Sequence, residues 1–353
     1  MRASTVNRRF RLLALLLGVV AGLGVVEIGL RLAGPPESEV ELLAELATRL
    51  QPPPLSGDCR APAPQARLRE IVEPSPHPDV IYELRSNVET CFEQVPVRFN
   101  SQRVRRDSEV TTPKPVGVLR VLVLGDSHAF GWAIPEDATV AAQLEEAFGK
   151  LTGAPVEVVN AGVPGYSAYQ QAAWLEAYGS DLEPDCVILL FVANDMGLPH
   201  FLLQPRESGP SRLWDWARAA TASKRWFTFA PNELATFVSG VQMDRIPERY
   251  RHMVGEAGYR EAVAKVARLA QIHDFDVVNV FDYSTLEVDS EGLVSFQEDL
   301  GITALEMSWP MDAAFRISKA DPHLNRAGNA EVTDFIVQSL ISRSVCLTPD
   351  KSL

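Results

Sequence analysis

The chain has 353 residues, 46% hydrophobic and 22% charged, which is enough apolar material for one large domain with accessory segments. Its net charge of −13 argues against a nucleic-acid partner, because phosphate contact needs a basic surface. No GxxxxGK[ST], no GxGxxG after a strand, no HExxH and no CxxC occurs, so no nucleotide, structural zinc or other cofactor is expected.

The amino terminus reads as an address. Arg2, Arg8, Arg9 and Arg11 precede Leu12–Val26, fifteen residues without a charge, and the apolar character continues to Leu32 past Glu27 and Arg31. At 1.5 Å per residue, Leu12–Leu32 makes about 30 Å of helix, roughly one bilayer core. Residues 1–33 are therefore expected to form a signal-anchor helix. Its arginines would stay in the cytoplasm, and the rest of the chain would lie outside the cytoplasmic membrane, in the periplasm or beyond. The alternative is a cleaved signal peptide. Gly22-Leu23-Gly24 offers small residues for a cleavage site, but no Ala-x-Ala ends the run.

Residues 34–78 read as a proline-rich stalk, with Pro35, Pro36, Pro52–Pro54, Pro62, Pro64, Pro74, Pro76 and Pro78 opposing helix interiors. Within it, Val40, Leu43, Leu46 and Leu50 stand at helical spacing and predict a short amphipathic helix over 37–50. Residues 79–117 form a lead-in of irregular or antiparallel structure. Four cysteines fit an oxidising compartment without requiring one. Cys59 and Cys91 are candidates to pair; Cys186, inside an apolar run, reads as a plain buried thiol, and Cys346 carries no reading.

From 118 to 345 the chain alternates strand and helix. Strands are predicted at Val118–Leu124, Val156–Val159, Cys186–Val192 and Val277–Phe281, and helices at Val140–Phe148, Ala168–Tyr178, Tyr259–His273 and Ala327–Ser342. Asn325 is a suitable N-cap for the last helix. This rhythm predicts a mostly parallel sheet with helices on both faces. An insertion over about 196–248 carries Trp214, Trp216, Trp226, Phe227 and Phe229 among arginines and Lys224. The aromatic stripe reads first as packing surface, with a lid or a membrane-resting patch as the sharper alternative.

Four short blocks stand just after predicted strands or near the carboxyl end: Gly125-Asp126-Ser127, Asn160-Ala161-Gly162, Ala193-Asn194-Asp195 and Asp321-Pro322-His323. Together, in this order, they resemble the SGNH family of esterases and acyltransferases, also called GDSL hydrolases. The resemblance covers roughly Val118 to Ser342 and puts the family's serine, glycine, asparagine and histidine on Ser127, Gly162, Asn194 and His323. It implies a three-layer α/β/α, flavodoxin-like domain with about five parallel strands. Three departures stand out, one of them His128 in place of the usual apolar or hydroxyl residue after the serine. Many members carry the aspartate three residues before the histidine, where this chain has Ala320, and the residue before Asn194 is Ala193 where glycine is common.

The chemistry of these residue types agrees with the resemblance. Ser127 needs its proton removed before it can attack a carbonyl, and a neutral imidazole at His323 suits that task near pH 7. Asp321 can accept from the ring's other nitrogen and fix its tautomer. The backbone N–H groups of Ser127 and Gly162 and the side-chain amide of Asn194 can surround an oxyanion, and Gly162 without a side chain would let substrate approach. Asp126 and Asp195 read as structural, and His128 as pocket lining beside Ser127 rather than the base. His77, His200, His252 and His273 show no ligand spacing. G-x-S-x-G is absent, since Ala129 stands where its second glycine would be.

The expected function is ester hydrolysis through an acyl-enzyme on Ser127, with an acyl or acetyl ester, an acylated glycan or a lipid as substrate. Two alternatives remain open: transfer of the acyl group to an exported or cell-surface polysaccharide, and a non-catalytic binding protein on the same frame. The sequence leaves the oligomeric state open.

Overall fold

A computed structural model of the chain describes residues 3–32, 51–55, 57–60, 62–205, 227–231, 246–283, 286, 288–310 and 312–347. The chain divides into two compact units: Met1–Leu46 with Leu203–Ala230, and Ala47–Leu202 with Pro231–Leu353. The first unit contains helix α1 (Ala3–Leu32). Among the described residues no helix is long and apolar enough to cross a membrane. The expected spanning segment is thus not supported.

The second unit opens with packed structure where a stalk was expected. The short helix α2 (Leu68–Ile71) leads into β1 (Val72–Pro74), which pairs antiparallel with β2 (Tyr82–Leu84). Ile71 and Val72 are fully buried, and Pro74 lies within β1. An antiparallel hairpin of β3 (Val88–Phe92) and β4 (Val95–Phe99) follows. Cys59 and Cys91 form a disulfide that ties the segment before α2 to β3. The helix expected over 37–50 and the aromatic residues Trp214, Trp216 and Trp226 lie outside the described residues, as does Lys224.

The frame of the second unit is a five-stranded sheet. In chain order its elements are β5 (Leu119–Gly125), α3 (Ser127–Phe130), α4 (Val140–Thr152), β6 (Val156–Asn160), α5 (Ala168–Trp174) and β7 (Cys186–Leu190). After the separate strand pair β8 (Phe201–Pro205) and β9 (Phe227–Pro231) come α6 (Gly255–His273), β10 (Asp276–Phe281), α7 (Ser290–Asp299), β11 (Thr303–Glu306) and α8 (Arg326–Arg343). The strand order is β11-β10-β7-β5-β6, with every pairing parallel. This is the flavodoxin-like order, and the topological switch point lies between β5 and β7, where open α/β sheets gather their chemistry. The fifth strand and α7 were not read from the sequence, because Thr303–Glu306 is too short and too polar to stand out.

Side-chain alternation distributes the two faces. Val121, Val123, Ile188, Leu190, Val278 and Val280 share one core with Val140, Leu144 and Phe148 of α4 and Val332, Ile336 and Leu340 of α8. Leu189 and Asn279, one step out of phase, instead line a small space with Ala168 and Gln171 of α5 and Tyr259 and Val263 of α6. All seven residues of β5 are buried, as a central parallel strand covered on both faces requires. Thr139 caps α4 by accepting from the Ala142 N–H, and Ser167 caps α5 in a reciprocal box with Gln170.

Cys186 is no plain thiol. It is bonded to Cys346, 160 residues later, so the segment after α8 is stapled to the first residue of β7. An apolar neighbourhood hides a half-cystine as readily as a thiol, and the partner's distance along the chain left no spacing to read.

Candidate active site

Ser127 is the first residue of α3, immediately past β5. Asp126 caps this four-residue helix, its Oδ1 accepting the His128 N–H at 2.8 Å. The hydroxyl of Ser127 therefore emerges at the carboxyl edge of the sheet, and its own N–H has no intrahelical acceptor. The chain then turns at Gly131, whose φ of +87° is left-handed, and the Gly131 and Trp132 N–H groups both donate to the Ser127 carbonyl, at 3.0 and 3.1 Å.

His323 arrives 196 residues later, on the loop before α8. Its Nε2 lies 2.8 Å from Ser127 Oγ, and its Nδ1 lies 2.6 Å from Asp321 Oδ1. The same carboxylate oxygen accepts the backbone N–H of His323 at 3.0 Å, so one group fixes both the ring and the chain that carries it. The two-residue spacing of Asp321-Pro322-His323 thus delivers the carboxylate to the ring even though Ala320 occupies the position three before the histidine. The loop is tied from below. Asn325 caps α8 through the N–H groups of Ala327 and Gly328, and its amide donates to the carbonyls of Ala314 and Arg316, at 2.8 and 2.9 Å.

Asn194 comes from the turn after β7. Its amide donates to Asp126 Oδ2 at 3.0 Å, and the Ser127 hydroxyl approaches the same oxygen at 3.2 Å. Ser127 Oγ has one proton and two acceptors in reach, the shorter contact being with the imidazole. A primary amide has two N–H bonds, so Asn194 keeps one uncommitted by this contact. Asp126 is buried and joins the loops after β5 and β7.

Gly162 stands apart. Its N–H donates to Asn160 Oδ1 at 3.1 Å, within its own loop. A Cβ there would lie 2.2 Å from the Phe130 nitrogen and 2.6 Å from the Ala129 carbonyl carbon. The missing side chain therefore makes room for the backbone of α3, where the sequence reading had it make room for substrate.

Asp195 is buried, accepting from Gln171 Nε2 at 3.0 Å and from the Val192 N–H at 3.2 Å, while its Oδ1 has no partner. Burial first, and the nearby Asp126 charge second, push its pKa well above the usual carboxylate value. His128 lies beside His323, ring centroids 5.1 Å apart, and against Trp309 at 5.6 Å; its Nδ1 is buried without a partner. His77 packs edge-on against Tyr178, and His252 edge-on against Tyr169. Among the described residues no cluster of three or more His, Cys, Asp or Glu side chains could hold a metal ion.

Two further residues shape the site. Trp132 stacks on the His323 ring at 5.2 Å with planes 17° apart. Arg105, almost wholly buried, donates to the carbonyls of Phe130, Gly131 and Ile134 at 2.6–2.7 Å, clamping the turn that follows Ser127. An aromatic residue five positions after the serine was the available hint for Trp132. Nothing in the sequence points Arg105 at carbonyls.

A family model described as GDSL-like lipase/acylhydrolase matches residues 123–330. No curated protein matches the sequence significantly. Among solved structures, a family 3 carbohydrate esterase of Clostridium thermocellum is 12% identical with a TM-score of 0.41, over 64% of this chain and 96% of its own. A lipase/acylhydrolase of Enterococcus faecalis is 14% identical with a TM-score of 0.38, over 64% of this chain and 96% of its own. A two-domain esterase active on acetylated mannans is 19% identical with a TM-score of 0.41, over 66% of this chain and 51% of its own.

Proposed function

Because the chain belongs to the GDSL-like lipase/acylhydrolase family, we propose that it is a serine esterase that works through an acyl-enzyme on Ser127. The observation that carries this reading is the continuous line Asp321–His323–Ser127, with contacts of 2.6 and 2.8 Å. Both fall within the hydrogen-bond reach that proton transfer needs.

In this reading His323 Nε2 takes the Ser127 proton as Oγ bonds to the ester carbonyl carbon. The imidazolium is held by Asp321 at Nδ1. The carbonyl oxygen, now negative, is met by the N–H of Ser127 and the free amide N–H of Asn194. Collapse of the tetrahedral intermediate breaks the bond to the alcohol, which leaves with the proton from Nε2. Water then attacks the acyl-enzyme with His323 again as base, releasing the acid and restoring Ser127. Gly162 joins the donors only after Asn160 Oδ1 lets go of its N–H. The substrate class is an acyl or acetyl ester, including acylated glycans and lipids. The two disulfides favour an oxidising compartment outside the cytoplasm.

The test is turnover of p-nitrophenyl acetate by the purified protein, with a fluorophosphonate label located by peptide mass spectrometry. The label is expected on Ser127, and Ser127→Ala should lose at least about a thousandfold in kcat. A label elsewhere, or unchanged turnover in Ser127→Ala, overturns the reading. Hydrolysis and transfer are separated by adding an oligosaccharide acceptor and measuring acetate released against acetylated sugar.

A further inference from the structure

The His323 ring has two aromatic neighbours. Trp132 stacks almost parallel to it, at 5.2 Å and 17°, and His128 lies at 5.1 Å and 36°. Both residues come from the stretch that begins at Ser127, so the serine's own turn also supports the base that would serve it. Three features hold Trp132 in place. Its N–H donates to the Ser127 carbonyl at 3.1 Å. Its ring meets Phe92 edge-on at 4.9 Å, an anchor in β3. The preceding residue, Gly131, admits no side chain: a Cβ there would lie 2.5 Å from Thr139 Cγ2 and 3.0 Å from Arg105 Nη1. Arg105, still cationic with its pKa lowered by burial to about 10, clamps the carbonyls on either side of that turn.

We propose that Trp132 is a positioning residue for His323, its ring face supporting the imidazolium that forms during turnover, and that His128 is a second wall whose bulk keeps the ring on Ser127. This rests on the serine-esterase reading and adds to it a residue outside the family's four blocks. An aromatic face attracts a cation lying over it through its quadrupole. Trp132 therefore favours the charged ring over the neutral one, which matters only while the proton is on His323. His128 must not compete for that charge. Burial keeps its pKa down; Asp126 pulls it back up, His323 adds to the lowering, and Asp321 opposes it. Its Nδ1 lies buried with no partner, a position in which a bare lone pair costs less than a charged N–H. The groups facing the two imidazoles are thus Asp126 and Asp321, each other, and the uncharged rings of Trp132 and Trp309.

The test titrates the His323 ring by NMR in the full-length protein and follows the acid limb of kcat/KM with p-nitrophenyl acetate. In Trp132→Leu the midpoint should move to lower pH by about half a unit, and kcat should fall several-fold. Trp132→Phe, with a weaker ring face, should move it in the same direction by less and recover part of kcat. A merely structural tryptophan would cost activity without moving the midpoint, and that result overturns the proposal. If Trp132→Leu does not fold, the Trp132→Phe titration decides: an unmoved midpoint overturns it. His128→Ala should lower kcat and His128→Phe restore it, since shape is the requirement. If His128→Phe is as inactive as Ser127→Ala, His128 takes part in the chemistry and its assignment as a wall falls. The NMR midpoint is read whether or not any ester is turned over, so it answers even if the esterase reading fails. A dead Ser127→Ala beside an unmoved Trp132→Leu midpoint removes this inference alone.

Discussion

The two ends of the central strands are built on opposite principles. At their amino ends, β5 and β7 are locked. Fully buried Arg120 pairs with Glu157 at 2.7 Å and reaches the carbonyls of Leu182 and Thr111, Lys114 and Asp185 form an ion pair, and Cys186 is bonded to Cys346. At the carboxyl ends of the same strands, polar groups are left with choices. Ser127 Oγ has two acceptors for one proton, Asn194 has an N–H to spare, and Asp195 Oδ1 and His128 Nδ1 have no partner. Saturated bonding stabilises, whereas chemistry needs groups whose bonds can be exchanged. The contrast places stability and reactivity about one strand length apart, on common strands.

Substitutions can break the contrast from either end. The largest effect is expected at the open end: Asp321→Asn should keep the fold but lower kcat by up to about 10⁴-fold, because the amide favours the wrong tautomer of His323. Steady-state kinetics beside a circular dichroism spectrum would check both halves. A comparable loss, in stability instead of rate, belongs to the locked end. Replacing Cys186 and Cys346 by alanine should cost about 3–5 kcal/mol of unfolding free energy, given the 160-residue separation. Urea unfolding measures that cost, and the remaining folded protein should turn over ester at the wild-type rate. If kcat falls in proportion, the two ends are coupled and the contrast fails.

Smaller effects sharpen it. Asn194→Ala removes one proposed oxyanion donor and should lower kcat about 10²–10³-fold with little change in KM; a change confined to KM would mean that Asn194 binds substrate without stabilising the transition state. The smallest effect concerns Asp195. Its folded pKa is raised, by burial first and by Asp126 second, so the folded state holds the proton more tightly than the unfolded one. Stability is then greatest where both states are protonated and declines as pH climbs above about 4, the unfolded value. Asp195→Asn should flatten that decline in urea midpoints taken from pH 4 to 8. An unchanged slope would assign the decline to another group.

Much of the open end was legible because its residues lie next to strong local signals. The unbroken apolar run before Gly125 marks a buried strand, and the strand places Ser127; Asn325 marks a helix start, and the helix places His323 just before it. What stayed hidden is what depends on non-local partners. Arg105 binds backbone carbonyls that carry no residue identity, and Trp132 matters only because a ring from nearly two hundred residues away settles on it. Cys186 looked apolar because it is buried among apolar residues. At Gly162 a side chain is excluded by the backbone of Ala129 and Phe130 beneath it, which no local pattern shows. Thr303–Glu306 joins the sheet through register with β10, a property of its neighbour more than of its own four residues.

The bond between Cys186 and Cys346 has a topological consequence for the site. His323 and Asp321 lie inside the covalent circle it closes, and Ser127 lies outside. Should the carboxyl-terminal helix fray, the base cannot drift away with a loose tail, because both its flanks remain leashed to the strand next to the nucleophile's own. The search volume open to a dislodged imidazole is bounded by chain connectivity before any noncovalent contact re-forms.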